Sequence, residues 1–392
     1  MKKLIMPAVF TCASAFAFAA GANTTMTEEK ITGPSADIPL KIIYSETPVA
    51  VSDSAALQKV KDEVASYGVL PTKQFDPSKN LTAVKCFETA EVKGTVFCVF
   101  NSRKAQSEIL LRSDSFVEAT KGKYFTRADF FSTGPIKEQS GVGRDFFEYC
   151  RGNTPAYDGI RGYDLPGKKF NAFLNKNLKD TTAAADDKTL QTYSRMESLF
   201  LDFMQNTIRA KYGNNYTLIS SLANDDFIPI LSHEFLHAQY FTEPKFAKNV
   251  NSYVDSLEGT KELEMFTKFA VATKAYTNID KIKSFRDNEF LAFMLATGSY
   301  EDALKRFPTD AAVMLRALVP AAAQTADQKA FFDEMFSFWQ KNNWAVGKDF
   351  DKLNAQSFDI LKKYNLPKTI DAEGSAFYKY LADKGTPPII IK

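Results

Sequence analysis

The pattern of apolar residues differs between the two halves of the chain. In the first half, apolar runs are short, rich in β-branched and aromatic residues, and bounded by turn-forming residues, which is typical of strands. One segment, near Ala55–Tyr67, instead has the spacing of a helix. The predicted strands are Leu40–Tyr44, Thr82–Phe87, Thr95–Phe100 and Glu108–Leu111.

In the second half, apolar residues recur every three or four positions, which is the spacing of an amphipathic helix. Two such helices are predicted around Met196–Met204 and Phe331–Trp339. One further strand is expected at Tyr216–Ser220, shortly before the most apolar part of the chain.

The segment between these halves is rich in turn-forming residues. Residues 132–188 carry Gly, Pro and Asn throughout and end in a polar stretch that is typical of a boundary loop. Residues 23 to about 40 are also polar, and we expect them to be loosely ordered. We therefore predict an α+β protein, with a mixed α/β region at 23–188 and a mainly helical region at 189–392. The alternative is an all-helical domain joined to an unrelated α+β domain.

The first residues have the three-part layout of a secretory signal peptide. Met1–Lys3 is basic, Leu4–Phe18 is apolar, and small residues give A-x-A cleavage patterns at 17–19 and 20–22. We expect residues 1–22 to be removed and the protein to be periplasmic or secreted. The apolar stretch is short for a membrane span, and no later segment approaches the length of one.

Charge excludes one class of partner. The formal net charge is +2, and removal of Lys2 and Lys3 with the signal peptide leaves 2 − 2 = 0. No basic run is interleaved with aromatic residues, so the sequence argues against nucleic acid as a partner.

Two cysteines lie symmetrically about a predicted turn. Cys86 and Cys98 belong to the strands on either side of Gly94, and an oxidising compartment permits a disulfide between them. Three buried thiols, with Cys150 as the third, are an equally compatible interpretation, because connectivity cannot be deduced from sequence.

The chain contains only two histidines, and they lie four residues apart in the sequence His233-Glu234-Phe235-Leu236-His237. An apolar helix is predicted from near 227 to near 242, with Pro229 in its first turn and Pro244 just beyond its end. In a helix, residues four apart share one face, so both imidazoles can bind one metal ion. Glu234 lies about 100° around the helix and can reach a water on that ion instead.

This H-E-x-x-H pattern resembles that of the zincin metallopeptidases. Farther along the chain, Asn288-Glu289-Phe290-Leu291-Ala292 resembles the N-E-x-x-A pattern from which the gluzincins take a third ligand. The resemblance implies a zincin-like fold and one Zn²⁺ per chain held by His233, His237 and Glu289. It also implies a peptide or protein substrate, with Glu234 as the general base.

Several alternatives remain open for the ligands. Glu289 could pair with Arg286 at i−3 instead of a metal, and the histidines could be a structural pair. The rival third ligands are Glu258, Glu262 and Glu264, which lie in a polar stretch typical of a solvated face.

The chain departs from the zincin pattern at two positions and leaves two roles unassigned. Gln239 stands where an apolar residue is usual, and Phe293 stands where thermolysin-like enzymes have an acid. Asp287 is the candidate carboxylate for orienting a histidine. The candidates for polarising a substrate carbonyl are Tyr240, Tyr276 and Tyr300.

Two classes of function are compatible with these residues. The first is an exported zinc-dependent peptidase, which the general base Glu234 favours because a structural zinc site has no need of one. The second is a noncatalytic scaffold or binding protein that keeps a zincin-like site.

Overall fold

The computed structural model describes residues 23–26, 40–67, 82–118, 162–178, 188–224, 227–272, 279–296, 299–345, 348–369 and 371–391. Within them the protein is α+β, as predicted, and combines one mixed sheet with many helices. The predicted signal peptide at 1–22, Cys150 and Tyr276 lie outside the described residues. Among the described helices, none is long and apolar enough to cross a membrane.

The described strands are β1 Asn23–Met26, β2 Leu40–Val49, β3 Thr82–Thr89, β4 Thr95–Phe100, β5 Tyr163–Pro166 and β6 Thr217–Leu222. They form one sheet in the order β1-β2-β3-β4-β6-β5, so β5 lies at one edge of the sheet as described. The β2–β3 and β4–β6 pairs are parallel, and the other three pairs are antiparallel.

The central strands are buried on both faces. This fits the nearly continuous apolar sequence of β4, whereas β6 also buries the small polar side chains of Thr217, Ser220 and Ser221. Every residue of β4 and β6 is buried. In the β3–β4 pair Cys86 lies directly opposite Cys98, and the two form a disulfide with a Cα–Cα distance of 4.1 Å.

Thirteen labelled helices complete the described fold. They are α1 Ser54–Ala65, α2 Arg103–Glu118, α3 Gly167–Asn177, α4 Lys188–Phe203, α5 Phe227–Thr242, α6 Pro244–Ser256, α7 Lys261–Ala272, α8 Lys283–Leu295, α9 Ser299–Arg306, α10 Pro308–Leu318, α11 Ala326–Lys341, α12 Lys348–Leu361 and α13 Ala376–Asp383. A π-helical turn, Met204–Arg209, and a short helical turn, Ala210–Tyr212, extend α4 towards β6.

The helices are arranged in three groups. Helices α2, α3 and α4 pack on one face of the sheet, and α1 and α5 pack on the other. Helices α6 to α13 build a separate helical core. Helix α5 belongs to two cores at once, because Leu231 and Phe235 contact the sheet side while Leu236 and Tyr240 contact the helical side.

Two sequence predictions were wrong. Glu108–Leu111 is not a strand but part of α2, since a short apolar run cannot by itself distinguish a strand from a buried helix segment. Residues 23–26, expected to be loosely ordered, form β1 by pairing with β2. Strand β5 and helix α3 lie in the turn-rich segment 132–188, where the sequence predicted no individual elements.

Candidate metal centre

Helix α5 carries the H-E-x-x-H motif and has the predicted bounds, Phe227–Thr242. Pro229 lies in its first turn, and Pro244 begins the next helix. One helical turn separates His233 from His237, so the rings lie on the same face with their centroids 4.7 Å apart. Their Nε2 atoms are 3.1 Å apart and face each other.

Helix α8 packs against α5 and brings Glu289 to the two rings. The carboxylate Oε2 lies 3.8 Å from Nε2 of His233, and Oε1 lies 3.8 Å from Nε2 of His237. Glu289 and His237 are buried, whereas the His233 side chain keeps 18% of its surface exposed. The structure therefore brings the three predicted ligands together, with an opening at His233.

The distances among these three groups fit one small metal ion. Three ligands bound tetrahedrally to Zn²⁺ at roughly 2.0–2.1 Å lie about 3.3 Å from one another. The two nitrogens are 3.1 Å apart, each lies 3.8 Å from a different oxygen of Glu289, and one ligand atom from each of the three residues lies within 4.8 Å of the others. Two imidazole nitrogens and one carboxylate oxygen are also the donor types that zinc prefers.

Burial sets the protonation state of both histidines. It lowers the pKa of His233 well below its usual range, and the neighbouring His237 lowers it further. It also lowers the pKa of His237 to about 4, although contact with Asn288 acts in the opposite direction. At neutral pH both rings are neutral, which is the form that binds a metal.

The carboxylate of Glu234 lies against the backbone of Gly162, immediately before β5. A Cβ atom added at Gly162 would lie 2.2 Å from Oε1 of Glu234. No side chain larger than hydrogen fits there while Glu234 keeps its place. The edge strand and the motif helix are thus in direct contact at the residue expected to act as general base.

A second carboxylate, Asp164, lies beside Glu234 and was missed from the sequence. Asp164 is the second residue of β5 and follows Gly162 by two positions, so both lie where this edge of the sheet meets α5. Ligand atoms of Asp164, Glu234 and His237 lie within 4.8 Å of one another. Burial raises the pKa of Asp164 to about 7, against the opposing charge of Lys169.

The residues around the two histidines differ from the prediction that the carboxylate of Asp287 orients one of the rings. Asp287 accepts hydrogen bonds from Arg286, at 3.1 and 2.9 Å, instead of orienting a ring. Asn288 lies close enough to His237 to act on its pKa, but Nδ1 of His237 and Oδ1 of Asn288 are both buried without a hydrogen-bond partner among the described residues. The ring of Phe293 packs edge-on against His233, with centroids 5.0 Å apart.

The rival ligands have other surroundings. Glu258 pairs with Arg286 at 2.7 Å, and Glu262 pairs with Arg316 at 2.8 Å. Glu264 is exposed. None of these three belongs to a described group of potential metal ligands.

Tyr240 and Tyr300, the two described candidates for polarising a substrate carbonyl, have hydroxyl groups with other surroundings. The hydroxyl of Tyr240 donates to Oδ1 of Asn251 at 2.8 Å and lies 3.4 Å from the carbonyl oxygen of Ser284. The hydroxyl of Tyr300 is buried in the helical core without a hydrogen-bond partner among the described residues.

Comparison with known proteins identifies no relative of this chain. No protein-family model, no curated protein and no solved structure matches this chain. The interpretation of the site therefore depends on its geometry and on the motif.

Proposed function

We propose that this protein is an exported zinc-dependent peptidase of the zincin type. The observation that carries the proposal is the convergence of His233, His237 and Glu289 on one point, with the carboxylate of Glu234 beside them. The three ligands come from two packed helices and would leave a fourth metal position for water and substrate.

The protein's own groups have distinct roles in this proposal. His233, His237 and Glu289 hold Zn²⁺, which when bound lowers the pKa of water to near 7 and polarises a carbonyl. Glu234 accepts the proton of the attacking water and returns it to the leaving amine. The partial exposure of His233 gives substrate a way in.

The fold supports a peptide substrate. Strand β5 is the last strand on its side of the described sheet, and it pairs with β6 alone. An extended peptide can add to such an edge through main-chain hydrogen bonds. Because Gly162 contacts Glu234, a peptide at this edge would pass close to the general base.

A noncatalytic zinc-binding scaffold is the second candidate. It is favoured by the position of Phe293, which gives His233 an apolar contact where thermolysin-like enzymes have an acid. The same surroundings would suit a site that binds a metal ion without turnover.

The test measures metal content and hydrolysis together. Purified protein lacking residues 1–22 should contain about one Zn²⁺ per chain and should cleave members of a peptide library, with products read by mass spectrometry. Chelation should stop cleavage, and added zinc should restore it. Absence of any transition metal after metal-replete purification would exclude the zinc centre. Bound zinc without cleavage would instead support the scaffold.

Gly162→Ala should keep zinc but lose most of the activity. The new methyl group would displace the Glu234 carboxylate, and a misplacement of about 1 Å can cost roughly 10²-fold in rate. The matched control is Gly167→Ala, whose Cβ would lie 2.6 Å from the carbonyl oxygen of Tyr216. Equal turnover per bound zinc in the two variants would contradict the assigned position of Glu234.

A further inference from the structure

An extended segment, residues 386–391, follows α13 and lies along the motif helix α5. Its contacts to α5 are centred on the buried side chain of Gln239. The Gln239 amide donates to the carbonyl oxygen of Pro387 at 3.2 Å, and its Oε1 accepts from the backbone N–H of Ile389, also at 3.2 Å. One side-chain amide thus holds both backbone groups that flank residue 388.

A second contact lies two turns earlier on α5. The hydroxyl of Ser232 donates to the carbonyl oxygen of Ile391 at 3.4 Å. Ser232 and Gln239 are seven residues apart, so they share one face of the helix and are separated by about 10.5 Å. Three extended residues, from 388 to 391, cover about 10 Å. The segment therefore runs antiparallel to α5, and its length matches the distance between the two contacts.

The side chains of residues 389–391 anchor the segment between the sheet-side core and the helical core. Ile391 is buried against Leu231 and Phe235 on the sheet side, and Ile389 packs against the same cluster. Ile390 packs against the helical core instead. This alternation is that of an extended strand. Pro388 restricts Pro387 to extended geometry, so little conformational entropy is lost when the segment is ordered.

The two contacts lie on either side of the metal-binding motif. Ser232 immediately precedes His233, and Gln239 follows His237 by two residues. Around the axis of α5, the side chains of Ser232 and Gln239 lie about 100° or more from those of His233 and His237. A buried amide with directional partners also fixes register, which an apolar residue at 239 would not do.

We propose that Gln239 is a positioning residue: by clamping the extended backbone of residues 387–389, it sets the rotation and depth of α5 at which His233 and His237 meet Glu289. The inference depends on the proposed metal centre for its effect on metal binding. The clamp itself can be tested without metal.

The metal test uses Gln239→Leu, which keeps the bulk of the side chain and removes its polar atoms. The dissociation constant of zinc should rise about 10- to 100-fold, as for other groups that support a ligand. The visible spectrum of the Co²⁺-loaded protein should also change, because it reports ligand geometry. The matched control is Ser357→Ala, which removes a buried hydrogen bond from Trp339 and should leave both readouts unchanged. Unchanged zinc affinity and Co²⁺ spectrum in folded Gln239→Leu would overturn the proposal.

A second pair of variants leaves α5 untouched. Ile389→Pro removes the N–H that binds Gln239, while Ile389→Ala trims the side chain and keeps that N–H. The proline variant should show the larger loss of zinc affinity, and equal losses would mean that only packing matters.

Amide hydrogen exchange on metal-free protein tests the clamp independently. Residues 231–241 should exchange faster in Gln239→Leu than in Ser357→Ala, and equal rates would overturn the proposal. Lack of metal binding by the unaltered chain would contradict the metal centre but leave this exchange result valid.

Discussion

Glu234→Gln is expected to keep its zinc and to lose between about 10²- and 10⁴-fold of its peptidase turnover. The substitution preserves the size of the side chain but replaces a proton acceptor with an amide. Glu234 belongs with Asp164 and His237 to a second group of potential ligands, but the proposal assigns zinc to His233, His237 and Glu289, so metal content should not change. The measurement is turnover per bound zinc on a peptide found in the library screen.

The control for this prediction is the same chemical change at an exposed glutamate. Glu264→Gln on α7 also removes one negative charge, but Glu264 lies on the surface away from the described ligand groups. Its turnover should equal that of the unaltered chain. Equal cleavage by Glu234→Gln and the unaltered chain would reveal a contaminating protease or a different base.

Asp164 is a second proton acceptor that affects how much turnover Glu234→Gln should lose. Its carboxylate lies close to Glu234 and could take over part of the proton transfer when Glu234 is amidated. The double variant Glu234→Gln with Asp164→Asn separates the two cases. Lower turnover in the double variant than in Glu234→Gln would show that Asp164 supplies the residual activity.

The parts of the site that could be predicted from sequence are those determined by local spacing. His233 and His237 share a face because any helix places residues four apart on one side, and the apolar sequence around them fixes the helix bounds. Glu289 was identifiable because it lies within a strongly apolar run on another helix, where a carboxylate requires a partner.

The parts that could not be predicted depend on contacts between distant segments. Gly162 and Asp164 are separated from Glu234 by about 70 residues. Asp164 lies in a strand of only four residues within a turn-rich segment, and Gly162 immediately precedes that strand. Nothing in the local sequence around Gly162 indicates that its backbone packs against the carboxylate of Glu234. Only the pairing of β5 with β6 places it there.

The role of Gln239 also could not be predicted from sequence, because it depends on a distant segment. From sequence it was a departure from the apolar residue usual at this position. Two of its three hydrogen-bond partners are 148 and 150 residues farther along the chain, and only Glu243, at 3.3 Å, is local. Once residues 386–391 are in place, the buried amide of Gln239 finds two backbone partners there, the carbonyl oxygen of exposed Pro387 and the N–H of half-buried Ile389.

Glu289→Gln is expected to weaken zinc binding by more than the 10- to 100-fold that is typical of groups outside the ligand shell. The amide keeps one oxygen near the histidines but loses the negative charge. In a buried site that charge has a large effect on a dication, because little water screens it. The measurement is the zinc dissociation constant by competition with a chelator of known affinity.

Three matched controls make the same Glu-to-Gln change at the rival positions. Glu258 and Glu262 are occupied by Arg286 and Arg316, and Glu264 is exposed, so each substitution should leave zinc affinity nearly unchanged. Release of the metal by Glu262→Gln alone would show that the third ligand has been misassigned. Loss confined to Glu289→Gln would establish that the third ligand comes from α8, and hence that the packing of α8 against α5 builds the metal centre.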